Sequence, residues 1–295
     1  MKNNPLVSII IPTKNSEEFI EGCLRSVTSQ TYKNIEVIVV DNSSMDRTKG
    51  IIKNLQKSKI NNQKSVISLY NKGPERSAQR NFGAKKARGE YLLFIDSDME
   101  LSDKVVEDCV RLVKSYKVHN VHKVLGGIII PEKSVGDSFW AKCKAVERSF
   151  YEGVDWIEAA RFFPKKIFEE FKGYDENQTG TEDYDLPQKI KEKYGKDSII
   201  RIKNYIIHQE GKLSLFDALK KKFYYAKTLS RYKNTKSNQE YFRKQASIIE
   251  RYKLFFLNPK KLFSDPLVGF GTLFMKTVEL GVMGIGYLVS EIFKR

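Results

Sequence analysis

Short apolar runs separated by amphipathic stretches organise the chain as far as residue 100. Leu6–Ile11, Ile35–Val40, Ser65–Tyr70 and Tyr91–Ile95 are rich in Val, Ile, Leu and aromatics and are flanked by Pro, Asn, Asp or Gly. Such runs read as buried strands. Between them the polar pattern predicts helices from about Asn15 to Gln30, Asp46 to Leu55 and Glu75 to Ala87. Asn15, with Glu18 three residues on, reads as a helix N-cap, and Pro12 as the end of the first strand. Strand and helix alternating at this spacing predict βαβ units, hence an α/β fold with a mostly parallel sheet. Val105, Val106, Cys109, Val110 and Val113 predict another helix, and Val124–Ile130 and Ile199–Ile207 two more strands. Residues 131–200 are otherwise less regular, with a helix opening within residues 180–186.

The texture changes at Leu213. Lys220-Lys221-Lys222-Phe223-Tyr224-Tyr225 and Arg251-Tyr252-Lys253-Leu254-Phe255-Phe256 mix cations with aromatics. Residues 201–261 hold 16 Lys and Arg against 4 Asp and Glu, much of a formal net charge of +16. That excess implies an anionic partner: a phosphate-bearing substrate, acidic lipid or nucleic acid. Residues 267–292 are mostly apolar and long enough to span a bilayer, but Lys276 and Glu279 sit near their middle. Each charge would cost ~2.5–3.5 kcal/mol at the bilayer centre, and pairing at i,i+3 lessens that cost. With five glycines in the run, the expectation is interfacial helices broken near residues 276–280. A true span and a soluble core or dimer helix are the alternatives. Cys23, Cys109 and Cys143 are odd in number and far apart, which predicts free thiols. The apolar run after Met1 is too short for a signal peptide.

The chemistry-bearing feature is Phe94-Ile95-Asp96-Ser97-Asp98, an apolar strand that ends in two carboxylates. Ligands bind at the carboxyl ends of strands in open α/β sheets. In extended chain residues i and i+2 point the same way, so Asp96 and Asp98 are expected to address one centre. Paired oxygen donors facing a diphosphate suit Mg²⁺ or Mn²⁺; a polar strand-ending turn is the alternative.

Val7-Ser8-Ile9-Ile10-Ile11-Pro12-Thr13, Val39-Val40-Asp41-Asn42-Ser43-Ser44, Arg80-Asn81-Phe82-Gly83, Asp96-Ser97-Asp98 and Glu182-Asp183-Tyr184-Asp185-Leu186 occur in that order. Together they resemble the family-2 glycosyltransferases, inverting enzymes of the GT-A fold, over roughly residues 5–210. The resemblance implies a Rossmann-like mixed sheet flanked by helices. With the change of texture at Leu213, it divides the chain into a catalytic domain, 1–212, and a helical membrane-associating region, 213–295. Residues 1–100 would bind the nucleotide sugar and 101–212 the acceptor. Pro12, Thr13, Asp41, Arg80 and Asp96 match nucleotide-binding positions; Lys14 stands where an aromatic is common. Asp98, Asp96 and His208 match metal positions, implying Mn²⁺ or Mg²⁺. Asp183 matches the catalytic base, with Glu182 supporting it; these acids could equally satisfy a helix N-terminus.

The Gln-x-x-Arg-Trp pattern of processive members is absent, so transfer of one sugar is implied. The expected acceptor is lipid-linked, a polyprenyl or dolichyl phosphate or a lipid-linked oligosaccharide. The expected location is peripheral, at the cytoplasmic face of an anionic membrane. A protein or soluble glycan acceptor is the second reading, and a basic nucleic-acid-binding protein a remote third. Deleting residues 213–295 is expected to leave a soluble protein that still binds nucleotide.

Overall fold

The structure, a computed structural model, describes residues 4–57, 67–119, 123–226 and 228–292. Its first elements follow the apolar runs: β1 (Val7–Thr13), α1 (Ile20–Thr28), β2 (Ile35–Asp41), α2 (Thr48–Lys57), β3 (Ile67–Asn71), α3 (Arg76–Lys86) and β4 (Tyr91–Phe94). The start of the third expected strand, Ser65 and Val66, lies outside the described residues. There follow β5 (Met99–Leu101), α4 (Val105–His119), β6 (Gly127–Ile129), β7 (Glu132–Val135), α5 (Phe139–Ser149), β8 (Ala160–Pro164), α6 (Lys165–Glu170) and α7 (Glu182–Tyr194). The remainder is β9 (Ile199–Arg201), β10 (Ile206–Gln209), α8 (Leu215–Ala226), α9 (Leu229–Asn234), α10 (Gln239–Ala246), α11 (Ile248–Phe256), α12 (Pro259–Leu262) and α13 (Pro266–Ile292).

The chain falls into two compact units. The first comprises residues 1–131, 159–176 and 186–207; the second comprises 132–158, 177–185 and 208–295. Compactness therefore groups two segments from before residue 212 with the C-terminal helices.

The first unit is built on a seven-stranded sheet in the order β3-β2-β1-β4-β8-β6-β9. β1 to β4 run parallel, whereas β8 is antiparallel to both neighbours, so the sheet is mixed. Side chains alternate between its faces. Val7, Ile9, Ile11, Val37, Val39 and Leu93 join one core with Leu24, Val106 and Val110. Ile10, Ile38, Val40, Leu92 and Phe94 join a second core with Phe163, Phe168 and Tyr174. Burial on both faces explains why these strands read as continuous apolar runs rather than alternating ones.

Pro12 does not end β1. It pairs with Val40 of β2, while pairing with β4 stops at Ile10 and Phe94. Pro12 turns its nitrogen toward the β4 side, past the end of that ladder, so the missing N–H removes no bond. Asn15 is not a cap either: it adopts a positive φ of 47° and its side chain accepts from Met45 N–H at 2.9 Å. The helix it was expected to open starts at Ile20. The expected strand 199–207 is two strands, interrupted where the Asn204 side chain donates to Asp108.

In the second unit α13 packs along α5 and α8, and it is one unbroken helix, contrary to the expected break. Three of its glycines, Gly269, Gly271 and Gly286, serve close approach rather than interruption. A Cβ on Gly271 would lie 2.6 Å from the Phe139 ring, and one on Gly286 2.8 Å from Ala226. Lys276 and Glu279 pair at 3.4 Å as expected, and both are buried, Glu279 completely. Lys276 Nζ donates to Glu147 and Lys144 Nζ to Glu279, each at 2.5 Å, and Lys144 also reaches Glu147 at 2.6 Å. Tyr151 completes the group by donating to Glu147 at 2.7 Å. All three cysteines are free and buried.

Candidate active site

At the carboxyl edge of the parallel strands, β1 ends at Thr13 and β2 at Asp41, paired across the ladder. Beyond them the chain must turn, and polar side chains fix the turns. Asp41 is buried; its carboxylate accepts from Ser44 N–H at 2.8 Å and from the Ser44 hydroxyl. These are local side-chain contacts that fix the turn, although a carboxylate keeps lone pairs for further donors. Gln79, buried on α3, donates to both Thr13 O (3.1 Å) and Val40 O (2.6 Å), tying the two strand ends together. The Thr13 hydroxyl is buried without a hydrogen-bond partner among the described residues. Pro12 lies beside it, also buried, and Lys14 is exposed.

β4 stops at Phe94, and Asp96 to Met99 form a turn closed by Met99 N–H to Asp96 O at 3.1 Å. The extended-chain argument for Asp96 and Asp98 therefore fails, because the two residues lie in a turn rather than in extended chain. Asp96 faces arginines. Arg80 Nη2 donates to its Oδ1 at 2.5 Å, and Arg161 Nη1 lies 4.0 Å from Oδ2. Burial works against its charge, but Arg80, then Arg161 and Arg76, hold the carboxyl well below the usual carboxylate range. Arg80 is itself only 2% exposed, with its guanidinium 5.5 Å from the centre of the Tyr174 ring. It thus faces a carboxylate inside the protein rather than open solvent. Asp98, next along the turn, is half-buried. Ser97 between them meets Ser16 at 2.8 Å, joining this turn to the loop after β1. A carboxylate on a strand-end turn is an oxygen donor that a hard cation accepts alongside phosphate oxygens. Among the described residues no group of three or more His, Cys, Asp or Glu is placed to hold a metal ion.

The other expected residues belong to the second unit. Gly180, with φ of +78°, packs against the Tyr225 ring so closely that a Cβ would come within 2.5 Å. It leads into α7, whose first turn carries Glu182, Asp183 and Asp185, where acids favour the helix dipole. Glu182 and Asp185 are buried, and Asn238 donates to Asp185 at 2.5 Å. Asp183 is half-buried. Burial and then the Asp183 charge push the Tyr184 phenol upward. Pro187 follows inside α7; it lacks the N–H that would bond the Asp183 carbonyl.

His208 Nδ1 is 2.5 Å from Arg148 Nη1, with Glu132 at 3.5 Å and Glu210 3.3 Å from Arg148. A guanidinium only donates, so Nδ1 accepts and the ring proton sits on Nε2.

The strand ends thus gather Thr13, Asp41, Arg80, Asp96 and Asp98 in one unit. Sequence reading missed Gln79, Arg161, Ser16 and Ser97, which fix those residues in place. Gln79 adjoins Arg80 and was within reach; Arg161 lies far along the chain and gives no local signal.

A mixed α/β sheet whose strand ends carry carboxylates and buried arginines is the frame of a nucleotide-sugar enzyme. Residues 8–163 match glycosyl transferase family 2, and the chain belongs to that family. It is 36% identical over 97 residues to the GalNAc(5)-diNAcBac-PP-undecaprenol beta-1,3-glucosyltransferase of Campylobacter jejuni, covering 33% of this chain and 31% of that protein. It is 30% identical over 147 residues to a UDP-Glc:alpha-D-GlcNAc-diphosphoundecaprenol beta-1,3-glucosyltransferase of Escherichia coli, covering 47% and 56%. Both matches span less than two thirds of the relative's own length. The mannosyltransferase of Pyrobaculum calidifontis, solved with GDP-Man and Mn²⁺, superposes with a TM-score of 0.60 at 14% identity. That match covers 97% of this chain and 88% of the other and shows that the fold is shared, as GT-A.

Proposed function

We propose that this protein transfers one sugar from a nucleotide diphosphate sugar to a lipid-linked acceptor at a membrane surface, with inversion at the anomeric carbon. The observation that carries the reading is Asp96, fixed by Arg80 and Arg161 at the end of a parallel strand. A carboxylate held ionised and aimed in this way accepts from donor hydroxyls. Thr13 and Asp41 would meet the nucleoside, with Pro12 shaping the strand end beneath it. Arg80 and Arg161 act through Asp96 as positioning residues. Asp98 would hold Mg²⁺ or Mn²⁺, which when bound neutralises charge on the diphosphate leaving group.

Asp183 is the proposed base. It takes the proton of the acceptor hydroxyl as that oxygen bonds to the anomeric carbon, and the bond from that carbon to the diphosphate breaks with its electron pair. Glu182 supports Asp183 on the same helical turn. The names of the Campylobacter and Escherichia relatives support an undecaprenyl-diphosphate-linked acceptor and a UDP-glucose donor.

The test is a thermal-shift screen of UDP and GDP, each with Mn²⁺ or Mg²⁺, followed by transfer of radiolabelled glucose from UDP-glucose to undecaprenyl-diphosphate-linked GlcNAc. A ligand of the native state raises the midpoint. A chain that no nucleoside diphosphate stabilises, and that labels no lipid, is not this enzyme.

A further inference from the structure

A helix lying on a soluble protein turns its apolar stripe inward and its charges outward. α13 breaks this pattern on both faces: Val268 and Met275 are buried, but so are two charges. Its inward face carries Lys276 and Glu279, buried in the ion cluster with Lys144 and Glu147. Its outward face carries Leu267, Phe270, Phe274, Thr277, Gly281, Gly284, Ile285 and Leu288, at intervals of three and four residues. No charged residue interrupts that stripe. Phe270 is 64% exposed and Leu288 62%, and at 1.5 Å per residue the stripe runs for roughly 30 Å.

Other aromatics of the second unit widen it. Trp140 lies 6.2 Å from Phe274, ring centre to ring centre, and Phe263 5.1 Å from Phe270. The Tyr252 hydroxyl meets Thr277 on the stripe, and the exposed Phe256 stacks on Tyr252 at 6.5 Å. Cations stand at both ends. Lys260 and Lys261 are exposed on α12, just before the stripe begins, and Lys233 Nζ lies 5.4 Å from the centre of the Tyr287 ring near its finish.

We propose that this outward face of α13 seats the protein flat on an anionic lipid surface, a placement that rests on the lipid-linked acceptor argued above. Charge chooses the occupant. An acidic bilayer complements a chain of net charge +16, whereas a second copy would bring two such charges together. An apolar stripe with lysines at its ends is the pattern of interfacial binding. Spanning is disfavoured by the inward face, because α13 would carry Lys144 and Glu147 of α5 into the hydrocarbon with it.

The experiment uses the full chain and vesicles of phosphatidylglycerol and phosphatidylcholine in equal parts, with pure phosphatidylcholine as comparison. Phe270→Asp with Phe274→Asp should lower flotation with the acidic vesicles by at least about tenfold, with the thermal midpoint retained. Met45→Asp, at an exposed apolar residue of the first unit, should change nothing. In Trp156→Phe, Trp140 is the remaining tryptophan, and brominated lipid should quench it. Unchanged flotation of the double variant, or unquenched Trp140, overturns the proposal. So does a wild-type dimer that the double variant dissolves, which would assign the stripe to a second copy. Retention in alkaline carbonate would mean a spanning helix and overturns the flat placement. Nucleotide-induced stabilisation is read separately: if it is missing while flotation holds, the sugar-transfer reading fails and the docking face stands.

Discussion

Arg80 and Asp96 form a buried pair in which a guanidinium, 2% exposed, donates to a carboxylate at 2.5 Å. Removing one partner of such a pair leaves a charge in the interior. Asp96→Asn should therefore cost about 3 kcal/mol of stability and weaken donor binding. Urea unfolding and nucleotide titration measure the two effects separately.

The same pair predicts an acid limb in stability. The arginines hold the Asp96 carboxyl far below its ordinary value, so the folded state binds fewer protons than the unfolded one in acid. That contribution is fully present above the ordinary carboxylate value near ~4 and fades as pH falls below it. The Asp96→Asn chain should lose less stability than the wild type between about pH 5 and about pH 3. Parallel acid limbs in the two proteins would show that Asp96 is ordinary in the fold.

Asp98 and Asp183 are expected to separate cleanly in kinetics. Asp98→Asn should remove the effect of Mn²⁺ on nucleotide binding with little change in the thermal midpoint. Asp183→Asn should keep donor affinity and lower turnover by at least ~10²-fold, as for loss of a positioned base. A collapse of donor affinity in the second variant would move Asp183 into the donor site.

Lys222 offers a prediction on the alkaline side. It is half-buried on α8, unlike the exposed Lys220 and Lys221 beside it. Glu279 raises its pKa, but burial and the ammonium groups of Lys144 and Lys276 outweigh that and push it down to about 7. Between that value and the ordinary lysine range the unfolded chain binds more protons than the folded one. Stability from this group therefore rises with pH from about 7 toward about 10, and its full cost applies below 7. Lys222→Met should raise the thermal midpoint at about pH 6 and lose that advantage near pH 10. An advantage independent of pH would mean that Lys222 titrates like a surface lysine.

What was legible in the sequence was local. β1, β2 and β4 announce themselves because a strand buried on both faces is apolar at every position, and the polar residues at their ends mark the site edge. The direction of those polar residues was not legible. That Asp96 faces Arg80 and Arg161, and that His208 faces Arg148, depends on contacts between residues far apart in the chain. The continuity of α13 is hidden for the same reason. Lys276 and Glu279 looked like a break in an apolar run because their partners, Lys144 and Glu147, lie more than a hundred residues earlier in the chain. Gln79 was overlooked although it precedes Arg80 directly, because a buried amide bridging two strand ends has no pattern in one dimension.

The ion cluster also bears on how the chain can be cut. Lys144 and Glu147 find Lys276 and Glu279 across a stretch of chain that includes β8, α7 and β9. A protein ending near residue 212, expected from sequence to be a soluble nucleotide binder, would strip both partners from α5 and leave an ammonium and a carboxylate beside an uncovered apolar groove. The C-terminal helices are thus a missing wall rather than a removable tail. A chain severed ahead of α13 is expected to lose the partners of Lys144 and Glu147 and with them part of the stability of the second unit.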